Sequence, residues 1–462
     1  MSSFNDIKKT NTIKKIFTNK TVLFSVFFTL IILIMFHIGS IIPTPGIEIE
    51  GSISTNDFSS MLNLLAGGGM SRMSIFSIGV GPYITSQIIV QLLSSDLIPP
   101  LSRMAKSGER GKKKLEVITR FLMLPFCVAQ SYAIIALLLQ NGNGNIKIFG
   151  QSEMSGLSWQ QISTLIIIFT AGSYISIFMG DMITKKGVGN GITLLILSGI
   201  VASFLSDFKV AINAIEGKFD LSTIKNVITM VLSVILYISV FLLLLFACIF
   251  VNDSVRRIPI QQVGQGLITE TKDLPFLPIK LNASGVIPVI FASSLMTIPG
   301  TIEQFLPAYS EGKEIINDYF QIETAVGLSL YGFFIIAFSF FYSYIQINPQ
   351  NLSENFEKSG KFIPGVKSGK DTEKHITKVL NRINWLGAPF LALVAMIPYV
   401  ISMISGIPSG LAIGGTGIII LVTAAIDLWT SIKSNSTASG YNIEKDKIGS
   451  SVGKNDKDYH MW

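Results

Sequence analysis

Charge is scarce in this chain. Of its 462 residues, 14% are Asp, Glu, Lys or Arg and 49% are hydrophobic, with a mean hydropathy of +0.54, whereas a soluble domain carries roughly 25% charge. The 36 Lys and Arg and 29 Asp and Glu cannot coat a soluble core of this length. A cytosolic enzyme is therefore excluded, and the expected solvent is lipid. Cysteine is nearly absent too: Cys127 and Cys248 both sit inside long apolar runs, which leaves no disulfide framework and no CxxC metal site. His37, His375 and His460 are the only imidazoles, so metal chemistry is not expected. The sequence contains no GxxxxGK[ST] phosphate loop, HExxH pair or Ser/His constellation. Catalysis and a bound cofactor are accordingly not expected.

What is present is apolar length. Ten runs reach the roughly 20 residues that cross a hydrocarbon core: 22–41, 75–93, 116–139, 162–180, 189–206, 224–250, 285–302, 324–347, 385–403 and 411–432. The first continues through FHIGSIIP without a small-residue cleavage site, so it is expected to remain as a span. Lys and Arg divide sharply between alternate loops, with 29 of the 36 in segments 1–21, 94–114, 181–191, 252–282, 348–382 and 433–462. The opposite loops hold Arg72, Lys147, Lys209, Lys218 and Lys313, and Arg120 and Lys225 stand at span ends. Short basic loops stay on the cytoplasmic side, which places both termini there. Five spans on either side of the midpoint is an odd number, so a second half built like the first would sit upside down. That inference rests on parity, because no convincing self-similarity is visible in the letters.

The span interiors lack the midplane Asp, Glu, Lys or His that an ion-coupled carrier uses. Asp181 and Asp427 fall toward cytoplasmic ends, where solvated or capping carboxylates are expected, and His37 reads as an interfacial histidine. In the second span Gln87 and Gln91 share a helix face, with Thr85 and Ser86 beside them and Pro82 inside the run; the seventh carries Ser293, Ser294 and Thr297. Such faces serve either interhelical hydrogen bonding or a water-lined surface, and together they point to a shared seam. Before the second span, MLNLLAGGGMSRMSIF (61–76) is apolar, too short to cross and broken by Gly67, Gly68 and Gly69. Irregular backbone at membrane depth survives only when buried in protein or facing a cavity, so a re-entrant segment is expected. Segments 252–282 and 348–382 exceed bare connectors. Their cations, including Arg256, Arg257, Lys358, Lys361 and Lys367, either follow the positive-inside rule or dock an anionic partner.

These residues resemble a known family, the SecY channel subunits of the bacterial Sec protein translocase. The likeness runs from about Phe17 to Ile432. It rests, in order, on IGSIIPTPGI, GGGMSRMSIFSIGVGPYITSQIIVQLL, KKGVGNGI, LPIKLNASGVIPVIFASS, NPQNLSENFEKSGKFIPGVKSG and GGTGIIILV. The resemblance implies an all-α polytopic membrane protein with ten transmembrane helices in two inverted five-helix halves (22–206 and 207–432) around a central pore. A cytoplasmic segment (1–21) would precede them, and a tail (433–462) whose composition reads as disordered would follow. Matched position by position, the pore ring would be Val80, Ile84, Ile192, Ile196, Ile290 and Ile420. The plug, about 61–73, would include Leu64, Gly67, Gly68, Gly69, Ser71 and Arg72. Gln87, Gln91, Ser293, Ser294 and Thr297 would line a lateral gate, and Arg256, Arg257, Lys361 and Lys367 would bind partners.

The implied activity is passage of unfolded, signal-sequence-bearing preproteins across the plasma membrane, with lateral release of hydrophobic segments into the lipid bilayer. The implied partners are the small membrane subunits SecE and SecG, the SecA ATPase and the ribosome. The alternative is a secondary permease for a small solute, motivated by the inverted halves and polar faces. Three positions depart from the family pattern. His37 and Lys367 stand where many members carry Arg, and the loop tip QQVGQGLITETKD lacks the basic cluster of many relatives. Lys does not reproduce the planar fork of guanidinium, so weaker docking at Lys367, or an accessory paralogue, is compatible with these departures.

Overall fold

The structure is a computed structural model. It describes residues 20–49, 63, 66, 69–70, 73–141, 146–151, 156–216, 224–262, 275–307, 310–322, 324–405 and 415–455. The first-half helices are α1 (Lys20–Ile41), α2 (Gly81–Leu92), α3 (Pro99–Lys106), α4 (Glu109–Asn141), α5 (Trp159–Lys186) and α6 (Gly191–Glu216). The second half contains α7 (Ile224–Asp253), α8 (Ile287–Glu303), α9 (Glu311–Phe320), α10 (Ala325–Ile347), α11 (Pro349–Lys358), α12 (Lys370–Ser405) and α13 (Gly415–Asn455). Among the described residues six short strands accompany them: β1 (Ile47–Ile49), β2 (Ile146–Ile148), β3 (Val255–Pro259), β4 (Gln261–Gln262), β5 (Phe276–Lys280) and β6 (Lys361–Phe362).

Local chemistry sets several boundaries. Ser158 and Gln161 form a capping box that starts α5. Each side chain satisfies a backbone N–H that the first helical turn leaves open. Asn348 adopts φ 39°, which ends α10, and its Oδ1 accepts from Asn351 N at 3.1 Å to start α11 behind Pro349. A single residue thus turns the chain from a lipid-crossing helix into a short surface one.

A helix occupies part of each of the ten expected spans, and among the described residues seven helices are long and apolar enough to cross a membrane. Helix α2 is not among them. Its expected span began at Ile75, but Ile75–Val80 form turns, with Gly79 at φ 58° and Pro82 in the first helical turn. A left-handed glycine and a proline without an N–H start the helix late, leaving 12 residues, about 18 Å at ~1.5 Å per residue. At its far end α2 passes into a π-helical turn, Leu93–Leu97. The tail also differs from expectation. Helix α13 runs on to Asn455, because no proline interrupts 415–455 and a nucleated helix propagates cheaply.

Packing joins the helices into two half-bundles. In the first, α4 lies against α2 and α5, α5 against α6, and α1 against α5 and α6. In the second, α10 lies between α8 and α12, and α13 packs on α7 and α12. The halves meet along two lines: α2 and α4 against α8 on one side, α1 and α6 against α13 on the other. A large apolar cluster runs through both halves. A second core lies at one end of the bundle, where β1 pairs with β2. A third occupies the opposite, basic end, where β3 pairs with β5 and β4 with β6.

Candidate functional site

The two helices expected to form the seam start the same way. Gly79 (φ 58°) precedes Val80, Gly81 and Pro82, and Gly285 (φ 66°) precedes Val286, Ile287 and Pro288. Each valine occupies the position before the first helical residue, with no side-chain cap, and each proline falls in the first turn. Ile84 and Ile290 follow two residues after their prolines. This G-V-x-P-x-I repeat is the internal self-similarity that inspection of the letters missed. It is six positions long and separated by about two hundred residues, so it emerges only when the two helix starts are compared.

The six expected ring residues come from α2, α6, α8 and α13, which meet as the pairs α2–α8 and α6–α13. Val80, Ile84, Ile196, Ile290 and Ile420 are buried in the large cluster, and Ile192 packs against it partly buried. None of the six is exposed.

On the seam, Ser293 and Thr297 turn their hydroxyls back to the carbonyls of Ile290 and Ser294 at 2.9 and 2.7 Å. Thr85 and Ser86 do the same toward Gly81 and Pro82. These bonds hide polarity inside each helix and join nothing across the interface. Ser294, fully buried on α8, has an Oγ without a hydrogen-bond partner, as does the Gln91 Oε1 on α2; Gln87 is half-buried. Sequence reading missed Gln130, a buried residue of α4 whose Oε1 is also unpartnered. Helix α4 touches both α2 and α8, so each of these three neighbouring helices carries a polar side-chain atom that is not spent on the others. Unsatisfied buried polar atoms cost about 1–3 kcal/mol each.

Two further groups anchor the site. At the base of α8, Asn282 Nδ2 donates to Asn252 Oδ1 (3.1 Å) and Ser284 Oγ to Asn282 Oδ1 (3.3 Å). Asn252 Nδ2 bonds the Cys248 carbonyl at 3.0 Å, and the Ser284 and Ser339 hydroxyls are 3.0 Å apart. All four polar residues are buried, and together they tie α7, α8 and α10. In the first half, the Arg120 guanidinium of α4 bonds both Glu116 and Asp181 of α5, and Tyr174 Oη donates to the Arg120 carbonyl at 2.7 Å. Asp181 is therefore an ion-pair partner, contrary to the expectation of a solvated cap. Asp427 is exposed, as expected, and pairs with Lys280 at 3.1 Å, joining the strand that leads into α8 to the last span.

Of the expected plug residues, Gly69 is described and buried; Leu64, Gly67, Gly68, Ser71 and Arg72 lie outside the described residues. The Gly69 carbonyl accepts from Ser74 N and Ser74 Oγ, both at 3.1 Å. Met70, Met73 and Ile78 fill the end core against Ile134, Leu138, Leu165 and Phe169. The two long basic segments form one folded unit instead of two loops. Residues 370–382 are the opening turns of α12, β4 pairs with β6 across the two segments, and Ile258, Ile279, Phe356, Ile363, Ile376 and Leu380 share a core. Arg256, Arg257, Lys361 and Lys367 are exposed on this unit, and the Arg257 guanidinium lies 4.8 Å over the Phe276 ring.

Two half-bundles that meet along a part-polar seam, with aliphatic residues buried in the cluster they share, define a polytopic helical membrane protein. The chain belongs to the SecY family: a model of that family, described as SecY, matches residues 74–429. It is 53% identical over 438 residues to the protein translocase subunit SecY of Mycoplasmoides gallisepticum, covering 94% of this chain and 86% of that one. With the same subunit of Mycoplasma pneumoniae it shares 48% identity over 440 residues, 94% of this chain and 91% of the relative. Among solved structures it is similar to one described as the structure of a protein conducting channel. The TM-score is 0.64 at 18% identity, covering 91% of this chain and 94% of that chain. It is also similar to Sec61 in the canine ribosome-channel complex from the endoplasmic reticulum, with a TM-score of 0.59 at 16% identity over 91% and 94% of the two chains.

Proposed function

We infer that this chain is the pore-forming subunit of a protein-conducting channel and not an enzyme. It moves unfolded polypeptide across the plasma membrane and releases hydrophobic segments sideways into lipid. The observation that supports the reading is that Ile84, Ile196, Ile290 and Ile420 are all buried in one apolar cluster, on four helices that meet as two pairs across the half-bundle boundary. A narrow apolar collar dewets and blocks ions, and its side chains can part around a threaded chain without selecting a sequence.

Ten spans in two inverted halves frame this pore, with residues about 61–73 as a plug on the outer side and α2 against α8 as the lateral gate. Partition through that gate follows transfer energy: Leu, Ile and Phe favour the bilayer by about 0.3–0.6 kcal/mol each, while a central charge costs about 3. The basic end faces the cytoplasm, with both termini, and its folded unit docks the ribosome or the SecA motor through Arg256, Arg257, Lys361 and Lys367. SecE and SecG accompany the chain in the membrane. A solute permease fits less well, because Asp181 is held by Arg120 instead of being open to a coupling ion, and the curated relatives are named translocase subunits.

The test replaces Ile84, Ile196, Ile290 and Ile420 with Gly in reconstituted bilayers. Small ions are expected to leak through the variant and not through the parent. Unchanged conductance contradicts the collar assignment.

A further inference from the structure

The exposed side of α12 changes character along one line. Its exposed positions include Lys374, Lys378, Arg382, Trp385, Leu393, Val400 and Met403, spaced by three, four, seven or eight residues, which stacks them on one helix face. The opposite face, with Ile376, Leu380, Ile383, Leu391 and Val394, is buried. The exposed face is thus cationic for about two turns and apolar from Trp385 onward, where Trp385 is 73% and Leu393 60% exposed. From Trp385 to Met403 the helix rises about 27 Å at ~1.5 Å per residue, close to the roughly 30 Å of a hydrocarbon core. Trp385 therefore stands at the boundary, the level that tryptophan favours, with its ring against Phe340 (centroids 6.2 Å, 84°).

Arg382 then lies about 5 Å beyond the hydrocarbon edge, inside a headgroup layer roughly 5–8 Å deep. Lys378 and Lys374, about 10 and 16 Å out on flexible stems, lie over a surface whose field extends about 10 Å. The three cations have no ion-pair partner among the described residues. With Asn381, Trp385 and one carboxylate, Glu373, they line an open groove of about 550 Å³.

We propose that this groove is a binding site for the phosphate headgroup of an anionic phospholipid at the basic face of the membrane. Arg382 grips the phosphate, Lys378 and Lys374 supply attraction, and Trp385 lies along the glycerol and upper acyl chains. Lipid is the occupant because the cationic stripe runs without a break into a lipid-exposed apolar one. A docked RNA or protein would leave Trp385 and Leu393 facing the bilayer with no part in the contact.

The test uses the full chain carrying W159F, W429F and W462F, so that Trp385 is the only indole. The protein is reconstituted in phosphatidylcholine nanodiscs containing phosphatidylglycerol, with a brominated chain on one lipid or the other. Brominated phosphatidylglycerol is expected to quench Trp385 several-fold more strongly than its share of the bilayer accounts for. Since a surface cation adds an attraction worth about five-fold, K378Q or R382Q lowers that preference by about this factor, and K374Q/K378Q/R382Q abolishes it. The charge-conserving K374R/K378R retains it, which separates loss of charge from loss of fold. Added inorganic phosphate at the same ionic strength as chloride leaves the preference unchanged if the ligand is the lipid headgroup. Competition by free phosphate, equal quenching by the two brominated lipids, or a preference that survives the triple substitution overturns the proposal. Loss of ribosome binding in the triple variant with lipid preference intact overturns it in favour of an RNA or protein partner.

Discussion

Asn282 is buried in the segment that leads into α8, and both ends of its amide are used: Nδ2 donates to Asn252 and Oδ1 accepts from Ser284. Asn282→Leu keeps the branched side-chain shape and its number of heavy atoms and removes both bonds. Ser284 retains its contact with Ser339 at 3.0 Å, so the main loss falls on Asn252 Oδ1, left buried without its donor. A stranded buried acceptor costs about 1–3 kcal/mol, and polar bonds within membrane bundles average about 0.6 with a maximum near 1.7. A destabilisation of about 1–2 kcal/mol follows. Reversible unfolding in mild detergent titrated with dodecyl sulfate measures it, and Asn252→Leu supplies the second arm of a double-mutant cycle. Because the double variant leaves no partner stranded, it is expected to cost less than the two singles together by about 0.5–1.5 kcal/mol. Strict additivity, within about 0.3 kcal/mol, refutes the claim that these asparagines form one anchor for the gate helix.

Other consequences can be checked separately. Replacing Arg256 and Arg257 with Glu is expected to weaken ribosome or SecA binding at low salt and by less at high salt, where the field is screened within about 3 Å; affinity unaltered at all salt concentrations returns both arginines to topology markers. Gly69→Val places a Cβ 2.8 Å from Ser74 Oγ and 2.9 Å from the Phe76 carbonyl oxygen. It is expected to cost about 1–3 kcal/mol in the same unfolding titration and to raise resting ion leakage; unchanged values of both separate Gly69 from plug seating.

How legible all this was depends on the range of the interaction. Hydropathy located a helix in every expected span because lipid imposes its length requirement one segment at a time. The start of α2 was misread because Ile75–Val80 are as apolar as a span while Gly79 and Pro82 delay the helix, and an apolar count cannot see that. The basic segments read as two loops because β4 and β6 lie about a hundred residues apart in the sequence and pair only after folding. For the same reason the Asn252–Asn282–Ser284 anchor and the Asp181–Arg120 pair were invisible, since each polar residue looks solvated until its distant partner arrives. Gln130 carried a usable signal, a lone amide deep in an apolar run, but polar residues were sought only on the second and seventh spans.

The central claim is that α2 and α8 must separate for polypeptide to pass. Cysteines placed at Gln87 and Ser294, joined by a reducible bifunctional crosslinker in reconstituted vesicles driven by SecA, address it directly. Transport is expected to stop when the link forms and to resume on reduction. Undiminished transport through fully linked protein contradicts the account.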